Sequence, residues 1–284
     1  MYKVYLKPGK EESLKRFHPW VFSGAIAHFD GEPEEGEVVE IYTSKKEFIA
    51  KGHFQIGSIA VRVLSFYQDE AIDADFWKRK LSIAYDMRRS IGIAENPVNN
   101  TYRLVHGEGD NLPGLVIDKF SDVLVVESLA LGIDRFKLEI VDLLKEELRK
   151  DGIEIRGVYE RSDAKVRLNE GMERIKGFLS EEFDTNVQIE ENGVKYLVDV
   201  KDGQKTGFFL DQKYNRLAIQ KLCRDARVLD CFTHTGSFAL NAAVAGAREV
   251  TGVDASELAV AQAAKNAELN GVQDRAKFIC RDVF

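Results

Sequence analysis

The run Val228-Leu229-Asp230-Cys231-Phe232-Thr233-His234-Thr235-Gly236-Ser237-Phe238-Ala239 constrains this chain more than any other stretch. Apolar residues lead into a glycine turn and then into a helix-forming segment, the pattern of a buried strand that feeds a helix past a ligand. About twenty residues on, Glu249-Val250-Thr251-Gly252-Val253-Asp254 is a second short apolar strand ending in an acid, the spacing of a ribose-binding carboxylate. Two strand ends and one acid outline a nucleoside pocket.

What the turn lacks decides which nucleoside. A dinucleotide site needs G-x-G-x-x-G so that backbone can approach a pyrophosphate at a helix N-terminus. Here only Gly236 is glycine, and Cys231, Phe232, Thr233, His234 and Thr235 add bulk that would crowd a pyrophosphate. S-adenosylmethionine, which has a ribose and no phosphate, fits better. The turn offers Asp230, Phe232, Thr233, Gly236 and Ser237 as contacts, and the second strand offers Asp254 and Ala255. A third strand, Ala276 to Val283, ends in Asp282 beside Val283, where a carboxylate can accept from an adenine amino group. Between the second and third strands the sequence predicts a helix capped by Ser256, with Glu257 in its first turn, Leu258, Ala261, Ala264 and Leu269 on its apolar side, and Asn270-Gly271 as terminator. The order is β-α-β-α-β, half of a doubly wound sheet.

Three further blocks are long and unusual: His18-Pro19-Trp20-Val21-Phe22-Ser23-Gly24-Ala25-Ile26, Arg103-Leu104-Val105-His106-Gly107-Glu108-Gly109-Asp110-Asn111-Leu112-Pro113-Gly114-Leu115-Val116-Ile117-Asp118, and Lys205-Thr206-Gly207-Phe208-Phe209-Leu210-Asp211-Gln212. With them the whole chain resembles the class I ribosomal-RNA large-subunit methyltransferases that carry an N-terminal PUA domain and modify cytosine at C5. The resemblance implies a multidomain α/β protein: a PUA-like β-barrel that binds RNA, a central α+β domain, and a Rossmann-like methyltransferase domain. It also implies that the Lys205–Gln212 element closes over the methionine end of the cofactor, with Lys205, Gln212 and Arg216 as polar contacts; a cation such as Lys205 suits a carboxylate.

The expected domains are residues 1–70, 74–180 and 186–284. In the first, strands at 36–42, 47–53 and 59–66 alternate in polarity and are separated by turn residues, with Asp30 to Gly36 as an exposed acidic loop. The second opens on a helix from Asp75 with Trp77, Leu81, Ala84 and Tyr85 at helical spacing, and continues with a strand at 123–128, a helix at 134–150 with Phe136, Ile140, Leu144 and Leu148 inward, and a strand at 157–161. Gly107-Glu108-Gly109-Asp110 has the residues of a metal- or proton-handling loop, but no second ligand cluster accompanies it, so a tight turn is the expectation. Asn192-Gly193 between two apolar runs marks a hairpin in 186–200, and a helix is expected from about Asp211.

No run of about 18 apolar residues exists to cross a bilayer, and the start Met1 to Leu6 alternates like a strand, so a cytoplasmic protein is expected. Three cysteines, Cys223, Cys231 and Cys280, lack disulfide or metal-ligand patterning and read as packing residues. The net charge is -7, and residues 1–70 hold nine Lys or Arg against eleven Asp or Glu. An RNA surface must therefore be a local patch. Its candidates are Lys7, Lys10, Lys15, Arg16 and His18, then Lys45, Lys46, Lys51 and Arg62, with Trp20 expected in the core because aromatics of small barrels usually are.

The chain ends at Phe284, directly after the third strand, and contains no Asp-Pro-Pro or Asn-Pro-Pro. The expectation is a methyltransferase domain present only in its first half, with the first strand left as a bare apolar edge, and its catalytic residue stays unknown. Cys231 lies in the cofactor turn and is not expected to attack a base. Two other readings stay open: a non-catalytic RNA-binding or ribosome-assembly module with a degenerate cofactor fold, and a methyltransferase of a base nitrogen. A homodimer is possible in either enzymatic case.

Overall fold

A computed structural model describes residues 1–284. The elements are β1 (Tyr2–Leu6), α1 (Glu12–Lys15), β2 (Trp20–Phe22), β3 (Ile26–Asp30), β4 (Val38–Tyr42), β5 (Phe48–Phe54), β6 (Ile59–Ser65), α2 (Ala74–Ser90), β7 (Thr101–His106), β8 (Leu115–Phe120), β9 (Val123–Ser128), α3 (Leu131–Arg149), β10 (Gly157–Ser162), α4 (Val166–Asn169) and β11 (Ile175–Phe178). They continue with β12 (Asn186–Glu191), β13 (Val194–Asp199), α5 (Lys213–Cys223), β14 (Arg227–Cys231), α6 (Ser237–Val244), β15 (Glu249–Asp254), α7 (Glu257–Leu269) and β16 (Ala276–Cys280). The chain divides into two compact units, residues 1–91, 103–118 and 122–182 in one, and residues 92–102, 119–121 and 183–284 in the other.

In the first unit, alternation puts Val4, Leu6, Val39, Ile41, Val61 and Val63 on one face of a six-stranded sheet, where they bury together with Leu14 of α1. The strand order is β2-β6-β5-β4-β1-β3. β2 and β3 remain edges, so the expected barrel is corrected to an open curled sheet. A second sheet of the order β11-β10-β9-β8-β7 is backed by α3, on which α2 packs. Asp73 caps α2 by accepting from Phe76 N at 3.0 Å, and Trp77, Leu81, Ala84 and Tyr85 are all buried as their spacing predicts. In α3, Ile140, Leu144 and Leu148 are buried, while Phe136 is half-buried and lies flat against His53 of β5, ring centroids 5.9 Å apart.

The same unit is knitted by buried polar groups. Arg62 pairs with Glu170 at 2.9 Å, both side chains nearly inaccessible, and Gln55 Nε2 donates to Glu170 O at 2.7 Å. Gly132 of α3 lies so close to β5 that a Cβ there would fall 2.1 Å from the His53 ring. The Gly107–Asp110 block is a 3-10 turn, with the Asp110 carboxylate accepting from Arg88 at 2.8 Å through Oδ2 and from His106 N at 2.6 Å. That is the structural role the sequence favoured.

In the second unit β12 and β13 form the hairpin, turned through Asn192 and Gly193 at φ 57° and 75°, as an Asn-Gly turn requires. β14, β15 and β16 form a parallel sheet in that order, placing Asp230 opposite Gly252 and Asp254 opposite Cys280. β14 is an edge, and Leu229 is 65% exposed. α7 is capped by Ser256 as expected, the hydroxyl accepting from Ala259 N. Its buried face is Ala259, Ala263, Asn266 and Ala267, not the expected stripe: Ala261 and Ala264 are exposed and Leu258 is 86% exposed. Small residues let α7 approach the sheet closely, and Asn266 is inward because its amide bridges Leu197 N (2.8 Å) and Thr235 O (3.2 Å).

Candidate cofactor site

The strand ends β14 and β15 bring two carboxylates to one edge of the parallel sheet. Asp230 Oδ2 accepts from Thr233 Oγ1 at 2.6 Å and from Ala239 N at 2.9 Å, so it fastens both the turn and the first turn of α6. Asp254 Oδ2 accepts from His234 N at 2.9 Å and Oδ1 from Ser256 N at 2.9 Å. The turn from one acid to the other is thus a hydrogen-bonded frame, closed by Thr233 N to Val253 O at 3.0 Å. Phe232 and His234 take left-handed backbone, φ 61° and 51°, a conformation that non-glycine residues hold only where surroundings impose it. Gly236 follows at φ 83°, and a Cβ on it would lie 2.9 Å from Phe278 and 3.0 Å from Ala263. Glycine is therefore required there on both conformation and space.

Burial pushes the Asp230 carboxyl above its usual range, and the Asp254 charge adds to this while the Thr233 and Ala239 bonds oppose it. Burial lowers His234, with Asp254 pulling the other way. The site is acidic and holds no cation within the turn. A pyrophosphate would meet two carboxylates here, whereas ribose hydroxyls, an amino group and a sulfonium all suit them.

The Lys205–Gln212 segment reaches the same place. Phe209 meets His234 edge-on at 6.0 Å, Lys205 lies over the Phe209 ring at 4.5 Å and pairs with Asp211 at 3.0 Å. Gln212 precedes α5, and Ser237 begins α6, its carbonyl accepting from Asn241 Nδ2 at 2.8 Å. Ala255 is exposed just past Asp254, and the adjacent β16 end is tied on by Arg281 N to Asp254 O at 2.9 Å. Asp282 is exposed and accepts from Phe284 N at 3.1 Å; Val283 beside it is half-buried.

Two sequence expectations change. Arg216 is wholly buried, its Nε and Nη2 gripping Glu191 at 2.6 and 3.1 Å and Nη2 also donating to Phe209 O at 2.8 Å. It holds the Phe208-Phe209 segment in place from behind, and its surface presents nothing to a ligand. Cys231 and Cys280 are exposed and only Cys223 is buried: Cys231 shares the open face of β14 with Leu229, and Cys280 is the last residue of β16. Sequence reasoning also passed over Tyr196 and Asn241, a buried pair at 2.6 Å that supports the start of α6. A lone Tyr in a hairpin and an Asn in an alanine-rich helix gave no local sign of meeting.

Residues 4–66 match the model of the PUA-like domain, and residues 164–284 match that of the S-adenosylmethionine-dependent methyltransferases. S-adenosylmethionine is the cofactor of that domain, in agreement with the donor set described. A methyltransferase from Streptococcus mutans superposes with a TM-score of 0.80 at 24% identity, covering 100% of this chain and 72% of that one. A methyltransferase structure in complex with SAH gives 0.82 at 24% identity, covering 100% and 71%. At that identity these establish the fold. The ribosomal RNA large subunit methyltransferase I of Aeromonas salmonicida is 42% identical, covering 99% of this chain and 70% of that protein, and its counterpart in Aliivibrio fischeri strain MJ11 is 43% identical with the same coverage. On that likeness along nearly its entire length, the chain belongs to the ribosomal RNA large subunit methyltransferase I family.

Proposed function

We propose that the protein methylates large-subunit ribosomal RNA with S-adenosylmethionine, and that the atom methylated is C5 of a cytosine. The observation that carries the cofactor half of this reading is the pair of strand-end carboxylates held by backbone N–H groups of the turn and of α6 around a glycine that tolerates no Cβ. The RNA half rests on the family to which the chain belongs, and the C5 target on the resemblance of its sequence blocks.

When bound, S-adenosylmethionine supplies a methyl group made electrophilic by the sulfonium. The residues assigned to hold it are Asp254 for the ribose hydroxyls, Ala255, Asp282 and Val283 around the adenine, and Asp230, Phe232, Thr233, Gly236 and Ser237 along the turn. Lys205 and Gln212 are assigned to its methionine end, with Arg216 keeping their segment in position. No helix is long and apolar enough to cross a membrane; it is on the family to which the chain belongs that we place the protein in the cytoplasm with ribosomal RNA.

Calorimetric titration of S-adenosylmethionine tests the cofactor site: micromolar binding is expected, weakened at least about tenfold by Asp254→Ala, since a charged acceptor is lost. Binding unaffected by that change would remove the site from the proposal. The target atom is tested with ribosomal RNA tritiated at cytosine C5. Methylation at C5 must release the tritium and methylation of a ring or exocyclic nitrogen must not, so methyl incorporation without tritium release would overturn the C5 assignment in favour of nitrogen.

A further inference from the structure

Trp20 is not in the core where its type predicts. It lies half-buried on β2, an edge strand of the first sheet, beside a cavity of about 320 Å³ bordered by Lys10, Ser13, Phe22 and Gly24. Three rings meet there edge-on or tilted: His18 and Trp20 at 5.7 Å, Trp20 and Phe22 at 6.2 Å, and His18 and Phe22 at 6.2 Å. Phe22 is 49% exposed, and Phe17, just upstream, is 72% exposed on left-handed backbone at φ 61°. Burying such surface is favourable, so a chain that keeps these rings at the surface forgoes stability.

The Trp20 indole is also held from outside the sheet. Nε1 donates to the Glu108 carboxylate at 2.9 Å, and Glu108 belongs to the 3-10 turn that Arg88 and Asp110 anchor. The ring is therefore fixed in orientation by an acceptor 88 residues away in sequence. Along the sequence its own segment carries cations only, although Glu11 and Glu12 precede that segment and Glu108 meets the indole. Residues 13–29 contain Lys15, Arg16, His18 and His28 and no acidic side chain, in a protein of net charge -7. Lys15 pairs with Glu12 and Lys7 is bonded to Gly24 O, while Lys10 and Arg16 are exposed.

We infer that this cavity takes one unpaired nucleobase of the RNA substrate, stacked face to face on Trp20 with its edge against Phe22, whose ring stands at 89° to the indole, with Lys10 and Arg16 meeting the flanking phosphates and Glu108 holding the indole in its stacking orientation. The inference rests on the RNA-methyltransferase reading and adds to it a preference for single-stranded over duplex RNA at this surface. Exposed aromatics interleaved with cations are what a single strand uses, because every base has a face to stack and a paired base does not offer it. The cavity is at the size of a small-ligand site.

Trp20 supplies the probe. The protein has two tryptophans, and the other, Trp77, is fully buried, so quenching of emission by RNA reports on Trp20. An unstructured RNA of about 12 nucleotides, within the span of known single-strand sites, is expected to quench the wild type, and the same RNA annealed to its complement is expected not to. Trp20→Ala should weaken the single strand about tenfold, the scale of one lost stack, and Phe22→Ala, which removes an edge contact, by less, followed by anisotropy of labelled RNA. Trp20→Phe keeps a ring and loses the N–H; it should lose less than Trp20→Ala. Glu108→Gln retains an acceptor and should bind at least as tightly as wild type, whereas Glu108→Ala should weaken binding.

Equal quenching by duplex, or unchanged affinity of Trp20→Ala and Phe22→Ala in protein that melts like wild type, overturns the inference. Calorimetric binding of S-adenosylmethionine on the same samples separates the failures: retained cofactor binding with an indifferent pocket refutes this site alone, and absence of both cofactor and RNA binding refutes the methyltransferase reading with it.

Discussion

At the residue scale, His53 records how tightly the first unit is packed. Its ring is buried between Phe136, Trp77 and the backbone of Gly132, and Nε2 has no hydrogen-bond partner. Burial lowers its pKa from 6.5 to about 4, helped by the charges of Arg135 and Arg62. Between those values the unfolded chain binds a proton that the folded chain refuses. Stability from this group is therefore complete above about pH 6.5, falls as pH drops towards about 4, and loses nothing more below that. The whole effect is of the order of 3 kcal/mol, with roughly 2 kcal/mol of it lost by about pH 5. Urea unfolding of wild type and His53→Leu across this range checks it: the wild type should lose stability more steeply on acidification by that difference, and parallel curves would show that the ring is protonated in the folded protein.

At the scale of elements, the pair of Arg216 and Glu191 joins α5 to β12 and, through Phe209 O, to the segment that flanks the cofactor turn. Arg216→Met strands a fully buried carboxylate and should cost about 3–5 kcal/mol, while adding Glu191→Gln should recover a large part of that. A double-mutant cycle by urea unfolding measures the recovery; additive losses would mean that the two side chains stabilise independently. This pair also shows where the sequence stops being informative. Gln212 and Arg216 lie four apart, which reads as one ligand-facing stripe of a helix, but nothing local reveals that the acid claiming Arg216 sits 25 positions upstream. The same limit explains α7, whose buried face is made by alanines and by an asparagine serving two backbone groups rather than by its leucines. What was legible depended on local chemistry: the strands through alternation, the hairpin through Asn192-Gly193, the cap Ser256, and the turn through its single glycine and two spaced acids. Trp20 misled because residue type predicts burial only on average, and its place is decided by Glu108, far away in the chain.

At the scale of the whole molecule, a net charge of -7 repels RNA, so affinity must come from a small patch and from contacts that do not depend on charge. This gives the RNA complex a particular salt response. Neutralising two to four phosphates on a single strand gives a slope of log affinity against log salt of about -1.5 to -3, since each contact contributes about -0.7. Stacking on Trp20 and edge contact with Phe22 release no counterions. Trp20→Ala should therefore lower the line at every salt concentration without changing its slope, whereas Lys10→Ala or Arg16→Ala should flatten it by roughly 0.7 each. Anisotropy titrations of the same short RNA over a range of potassium chloride concentrations separate the two contributions. A steep slope that Lys10 and Arg16 do not alter would place the electrostatic contacts elsewhere on the surface, on Lys45 and Lys46 first, since these are adjacent exposed cations in the turn between β4 and β5.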